Sequence, residues 1–352
     1  MSDATSPSSC PDERRAVLAL TAVPDVGSVT HRQLTERFGS ASRGLHDGFS
    51  RAVAASAFAE ADAMLDAAEK RGLSLVTNLD DQYPPTLRDL HGPPAVLWAR
   101  GEWTALREPV VAVVGTRRAT EYGLRVAREI VGALARGGAT IVSGMALGID
   151  AAAHRAALDA NGNTIAVLGT GADVAYPRAH VALHREIAAR GLVLSELPPG
   201  ARSDAGSFPR RNRIIAALAT LTIVIEAPLR SGALITSDQA LELGRDVGAV
   251  PGPIDSPQSV GSNELLRDGA HVITSPADAL RLVGLELLPK LRPQISDATE
   301  LRIWNALEPG AATLDELCTR AALPVSQCLV GVTGLEVRGI IECALTGEIR
   351  RR

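Results

Sequence analysis

Six short runs constrain this chain more than any other feature: PVVAVVG (109–115), ATIVSG (139–144), TIAVLG (164–169), GLVLSE (191–196), LTIVIEA (221–227) and VGAVPG (247–252). Each is rich in β-branched residues, continuously apolar, and ends near Gly or a polar residue. A strand with one wet face alternates apolar and polar side chains, whereas a strand covered on both faces reads as an unbroken apolar run. Helical stretches separate most of these runs, and strands alternating with helices build a parallel sheet with helices on both sides. The chain is therefore expected to contain a doubly wound, mostly parallel α/β domain of the extended Rossmann-like kind, over residues 71–290. The preceding LSLVTNLDDQYPPTLRDLHGPPAVLWARGEW carries strand and Pro-rich turn signals that add a strand or two to the same sheet.

The flanks differ in character. Residues 1–12 are Ser/Pro-rich and expected to be disordered. From Arg14 to Lys70 the pattern is helical and Ala-rich, broken by VPDVGS and RFGSASRGL, which read as helix ends and turns; residues 1–70 are assigned to a small helical domain. After the linker LPKLRPQIS, residues 291–352 read as three short helices and two short strands around TGE, the order of a winged helix.

Composition narrows the function classes. With 352 residues, 46% hydrophobic and 22% charged, the chain is globular and long enough for two or three domains. The net charge of -4 announces no general affinity for nucleic acid, so any such role rests on a local patch. The four cysteines, Cys10, Cys318, Cys328 and Cys343, form no C-x-x-C pair and read as reduced thiols. The first residues lack a basic and an apolar signal region, and charge interrupts every stretch long enough to span a membrane, so a cytoplasmic protein is expected.

Ligands of open α/β sheets bind at the carboxyl ends of the strands. Here those ends read GTRRATEYG (115–123), SGMALGID (143–150), GTGADVAYPR (169–178) and RSGALIT (230–236). Glycines admit close backbone approach, and helix-start N–H groups with Ser/Thr hydroxyls cradle anions. Four such loops suggest a groove for a polyanion; tight βα turns are the alternative for each loop alone. Thr120 lies in the first loop, and Ser231 and Gly232 in the last. Arg117 follows its strand directly, where a guanidinium can reach an anion held by the loop, and Arg178 holds the corresponding edge of another strand.

The segment SFPRRNRIIAALAT starts a helix, yet Arg210, Arg211 and Arg213 crowd an end where the dipole favours acids. An external polyanion would supply the opposing charge. With only 3% aromatic residues no broad stacking face exists, so Phe208 is the candidate to stack one base, a hydrophobic staple being its other reading.

Signatures of catalysis are weak. Asp150 and His154, and His180 and His184, share helix faces without a third metal ligand, and no metal or cofactor is expected. No G-x-S-x-G, Walker A or G-x-G-x-x-G motif is present. Glu196 and Glu226 end strands at the same edge, where they can be catalytic or can cap and orient loops.

The series VAVVGTRRATEYG, SGMALGIDAAAH, GTGADVAYPRAH, SELPPG, FPRRNRIIAALA, VIEAPLRSGALIT and AVPGPIDSPQSVGSNELLRDGA closely resembles the DNA-processing protein A family, DprA/Smf. The resemblance implies a domain that binds single-stranded DNA without sequence preference, forms homodimers, and helps load RecA recombinase onto incoming DNA during natural transformation, with no catalytic turnover. It implies a phosphate-binding groove lined by Gly115, Thr116, Arg117, Ser143, Gly144, Gly169, Thr170 and Gly171, with Arg178 at a commonly basic position and Phe208, Arg211 and Asn212 in the F-x-x-R-N segment.

Departures follow too. VPDVGSVTHRQLTERFGS is similar to a helix-hairpin-helix or SAM-like element, but Asp25 replaces the expected glycine. The recognition-helix segment PVSQCLVGVTGLEVRG carries one arginine, Arg338, which suits a protein-contact unit better than a groove reader. Two other readings are a nucleotide-hydrolysing enzyme related to the phosphoribohydrolases, whose P-G-G-x-G-T-x-x-E loop is missing, and a winged-helix transcription factor with an α/β sensor.

Overall fold

A computed structural model describes residues 11–203, 206–286, 294–308, 310–344 and 347–351. It divides into two units, Met1–Leu288 and Pro289–Arg352. Most of the tail expected to be disordered lies outside the described residues; Pro11 and Asp12, placed at its end, instead start a helix.

Four helices open the first unit: α1 (Pro11–Ala22), α2 (Ser28–Phe38), α3 (Ala41–Gly48) and α4 (Arg51–Arg71). Small alanines at 54, 57, 61 and 68 form the buried face of α4, which lets it pack closely against α1. Asp25 between α1 and α2 has φ of 64°, the left-handed region that favours glycine, the residue the resemblance leads one to expect there.

The expected sheet follows, alternating with helices: β1 (Ser74–Thr77), β2 (Val96–Gly101), β3 (Val110–Val114), α5 (Glu121–Arg136), β4 (Thr140–Ser143), α6 (Ile149–Asp159), β5 (Thr164–Val167), α7 (Val181–Arg190), β6 (Leu192–Ser195), α8 (Ser207–Leu218), β7 (Leu221–Val224), α9 (Gly232–Glu242), β8 (Asp246–Ala249), α10 (Val260–Arg267), β9 (His271–Val272) and α11 (Pro276–Leu282). The strand order is β1-β2-β6-β5-β4-β3-β7-β8-β9. From β6 to β9 all neighbours are parallel, while β2 joins β6, and β1 joins β2, antiparallel. The Pro-rich stretch thus adds two strands at one end of the sheet, as anticipated from its sequence.

Alternate residues of β3 explain its unbroken apolar run. Val110, Ala112 and Val114 pack with Ile214, Ile215 and Leu218 of α8, whereas Val111 and Val113 pack with Ile130 and Leu134 of α5 and Ile149 of α6. Both faces are dry. The chain steps from β3 through β6 in one direction and then returns to place β7 beside β3, so the order reverses between β3 and β7. Open α/β sheets bind ligands at the carboxyl end of such a reversal.

The second unit holds α12 (Ala298–Ala306), α13 (Leu314–Ala321), α14 (Val325–Val337) and the antiparallel pair β10 (Ile341–Cys343) and β11 (Ile349–Arg351). Ile303, Leu317, Cys328 and Leu335 form its core. Cys318, Cys328 and Cys343 are free thiols.

Candidate nucleic-acid interface

At the reversal, the GTR loop is locked to the end of β7. Thr116 N donates to Glu226 O (2.7 Å), and Thr116 Oγ1 donates to Gln258 Oε1 (2.8 Å). The buried Glu226 carboxylate accepts from Thr120 N (2.9 Å) and Thr120 Oγ1 (2.5 Å), while Thr120 Oγ1 also accepts from Gly123 N to cap α5. Glu226 therefore supplies the negative charge that the start of α5 attracts, so that end is already satisfied within the fold. Of the two readings of Glu226, loop orientation is the one the geometry shows. No room remains for a Cβ at Gly123 beside this carboxylate.

The neighbouring loop is tied in the same way. Ile149 N donates to Thr116 O (3.2 Å), and Gly148, with φ of 77°, presses on the backbone of Thr116 and Arg117. Asp150 accepts from Gly144 N (3.2 Å) and Ala146 N (3.3 Å). Burial pushes its carboxyl above the usual range, against the opposing charge of Arg211. His154, one turn further along α6, is wholly buried and pushed down to about 3, first by burial and then by the charges of Arg211 and His180. His180 Nδ1 meets Met145 O (2.9 Å) and His184 Nε2 meets Ala172 O (2.9 Å), so the paired histidines serve backbone carbonyls.

The arginine-rich start of α8 resolves into different environments. Arg211 is buried: its Nη1 donates to Gly144 O (2.6 Å) and to Val167 O, and its Nε to Asn212 Oδ1 (3.1 Å). It braces the carboxyl ends of β4 and β5, where carbonyls have run out of ladder partners. Burial pushes its guanidinium down to about 10, still charged at neutral pH. Arg213 is held by Glu196 through two contacts of 2.6 Å. Both were expected to meet phosphates; their guanidinium groups are instead engaged inside the fold. Arg210 is exposed.

Several other candidates also prove internal. Ser143 Oγ donates to Val113 O (2.7 Å), Thr170 Oγ1 to Val174 O (2.7 Å), and Asn212 Nδ2 to Gly232 O (3.1 Å). Thr116, Gly144, Gly169 and Gly171 are buried, Gly115, Thr120 and Ser231 are half-buried, and Gly232 is exposed. These positions shape and pin the loops.

What faces outward is a set of guanidinium groups. Arg117, Arg118, Arg178 and Arg230 are exposed on loops following β3, β5 and β7, and none is in an ion pair among the described residues. Arg117 lies over the Phe208 ring, 5.4 Å from its centroid, and Phe208 in turn lies 5.2 Å from the Tyr176 ring. Tyr176, Arg118, Arg230 and Gln258 were not singled out from the sequence. The signal for Tyr176 was available: it is one of three tyrosines and immediately precedes Pro177 and Arg178.

Known proteins resemble this chain over most of its length. The model of the DNA recombination-mediator protein A family matches residues 74–284, and that of the DprA winged helix domain matches residues 289–344. The chain belongs to the DNA recombination-mediator protein A family. A Mycobacterium tuberculosis protein assigned as DNA processing protein DprA is 41% identical over 295 residues, 78% of this chain and 76% of its own. The crystallographic structure of DprA from Streptococcus pneumoniae superposes with a TM-score of 0.69 at 36% identity, covering 76% of this chain and 97% of that one. A structure of DNA processing protein A from Helicobacter pylori, concerned with its single-stranded DNA binding mode, has a TM-score of 0.53 at 34% identity and covers 58% of this chain and 92% of that one. The doubly wound fold and terminal winged helix of the family are thus those of this chain, and a DNA-processing role comes with membership. Among the described residues no helix is long and apolar enough to cross a membrane.

Proposed function

We propose that the strand-end face carrying Arg117, Arg118, Arg178, Arg210 and Arg230 binds single-stranded DNA through its phosphates, without sequence preference. The observation that carries this reading is the gathering of four exposed arginines, Arg117, Arg118, Arg178 and Arg230, on strand-end loops, while the nearby acids Asp150, Asp173, Glu196 and Glu226 are engaged with loop amides, Arg71, Arg213 or Thr120. Cations gathered on one face attract a polyanion and release its condensed ions. Gly115, Thr116, Thr120, Ser143, Gly144, Gly169, Thr170, Gly171, Ser231 and Gly232 form the frame of the groove, with Arg211, Asn212 and Arg213 as internal braces.

On this reading the protein is a recombination mediator and has no catalytic turnover. It acts in the cytoplasm as a homodimer, protecting incoming single strands and helping to load RecA recombinase onto them. The family's mediator role supports the RecA partnership. The first four helices act as a SAM-like domain docked on the sheet, and the winged helix as a protein-contact module, since Arg338 of its helical segment is already paired with Glu300.

The test is fluorescence anisotropy with labelled single-stranded and duplex oligonucleotides across a salt series. Preferential binding to the single strand, weakening as salt rises, is expected. Equal binding to both, or none, rejects the reading.

A further inference from the structure

Base stacking needs an aromatic face that a base can reach. Phe208 already has several neighbours. The Arg117 guanidinium lies over its ring, 5.4 Å from the centroid, and the Tyr176 ring lies 5.2 Å away, tilted by 40°. Its edge packs against Gly169 so closely that a Cβ there would lie 3.0 Å from the ring. Phe208 is half-buried, whereas Tyr176 at the outer end of this row is 44% exposed.

We infer that Tyr176 is the stacking platform for an unpaired nucleobase, with Phe208 as the ring that backs it and orients Arg117. This rests on the reading of the strand-end face as a single-strand groove. A ring held from behind by a second ring loses little freedom when a base docks, and aromatic pairs favour such offset or tilted arrangements at this separation. The row also joins the exposed guanidinium of Arg117 to the exposed ring of Tyr176, so a strand lying across it can meet both with one nucleotide's backbone and another's base. Any base has a π-face, so the contact adds affinity without reading sequence.

The experiment compares an oligothymidylate with an abasic sugar-phosphate strand of equal length, using the full chain and its Tyr176→Ala, Tyr176→Phe and Phe208→Leu variants. Tyr176→Ala is expected to bind the base-bearing strand roughly tenfold more weakly, the scale of one stacked base, and to bind the abasic strand as the parent does. Tyr176→Phe retains parental affinity for both. In the parent, a strand carrying 5-iododeoxyuridine cross-links on irradiation to Tyr176.

If the parent binds single strands but Tyr176→Ala loses nothing, or loses equally on both strands, the assignment of Tyr176 is overturned while the groove stands. If Phe208→Leu alone discriminates between the strands, the stack belongs to Phe208. If the parent binds neither strand, the groove reading falls and this inference with it.

Discussion

The guanidinium of Arg211 lies directly against Gly144, leaving no room for a Cβ, and donates to its carbonyl at 2.6 Å. A cation buried at the mouth of the proposed groove is thus a structural member. Arg211→Ala strands the carbonyls of Gly144 and Val167 and should destabilise the fold by about 2–5 kcal/mol. Arg211→Lys keeps the charge but cannot serve both carbonyls and Asn212 with one ammonium, and should fall between. Thermal melting checks this; an unchanged midpoint for Arg211→Ala would contradict the brace.

Arg117 predicts the opposite pattern. It is exposed, in no ion pair among the described residues, and lies over the Phe208 ring, so Arg117→Ala should alter stability by no more than about 1 kcal/mol. Its single-strand affinity should drop for all sequences alike, and the slope of log affinity against log salt should shrink by about 0.7 if one phosphate contact is lost. Anisotropy at several salt concentrations measures both quantities. Loss confined to particular bases would argue against a phosphate contact.

Legibility of the chain divides along physical lines. The buried strands could be read because a run such as Val110–Val114 is apolar on both faces, a local property of composition. The strand-end loops could be placed because Gly and small polar residues gather where the apolar runs stop. Direction was harder. Arg210, Arg211 and Arg213 look alike in sequence, yet one faces out, one braces two strand ends and one pairs with Glu196. Those partners lie 67 and 17 residues away, and no local pattern reports them. Tyr176 is marked locally by its place before Pro177 and Arg178, but the ring it meets arrives from α8, which no local pattern reports.

Glu226 and Thr120 make a prediction that separates framework from contact. Thr120→Ala removes the cap of α5 and one partner of a buried carboxylate, and should destabilise by about 1–2 kcal/mol. Glu226→Gln keeps the volume but removes the charge at the helix start, with a loss of about 1 kcal/mol. Chemical denaturation measures each. Neither side chain presents a free polar atom to the groove, so single-strand affinity per folded molecule should hold. A Glu226→Gln variant as stable as its parent would show that the capping contact contributes nothing.

His154 makes stability depend on pH in a stated direction. Its Nδ1 donates to Thr164 Oγ1 (2.7 Å), because that hydroxyl gives its own proton to Ile141 O (3.1 Å), and its Nε2 is buried without a partner. The folded-state pKa is depressed from 6.5 to about 3, so the unfolded chain binds a proton that the folded chain refuses. Stability is therefore full above about pH 6.5 and declines as pH falls toward 3, by about 1.4 kcal/mol per pH unit from this group alone. His31 and His184 are also lowered by burial and add to the decline. Asp150, whose carboxyl is raised, works the other way, since its folded state takes up a proton first as pH falls. His154→Asn retains an amide that can serve Thr164 but does not titrate. Denaturation followed from pH 7.5 to 4.5 should show it less stable than the parent at the upper end and, below about pH 6, with a slope shallower by about 1.4 kcal/mol per unit. Parallel slopes for the two proteins would mean that the acid sensitivity resides elsewhere.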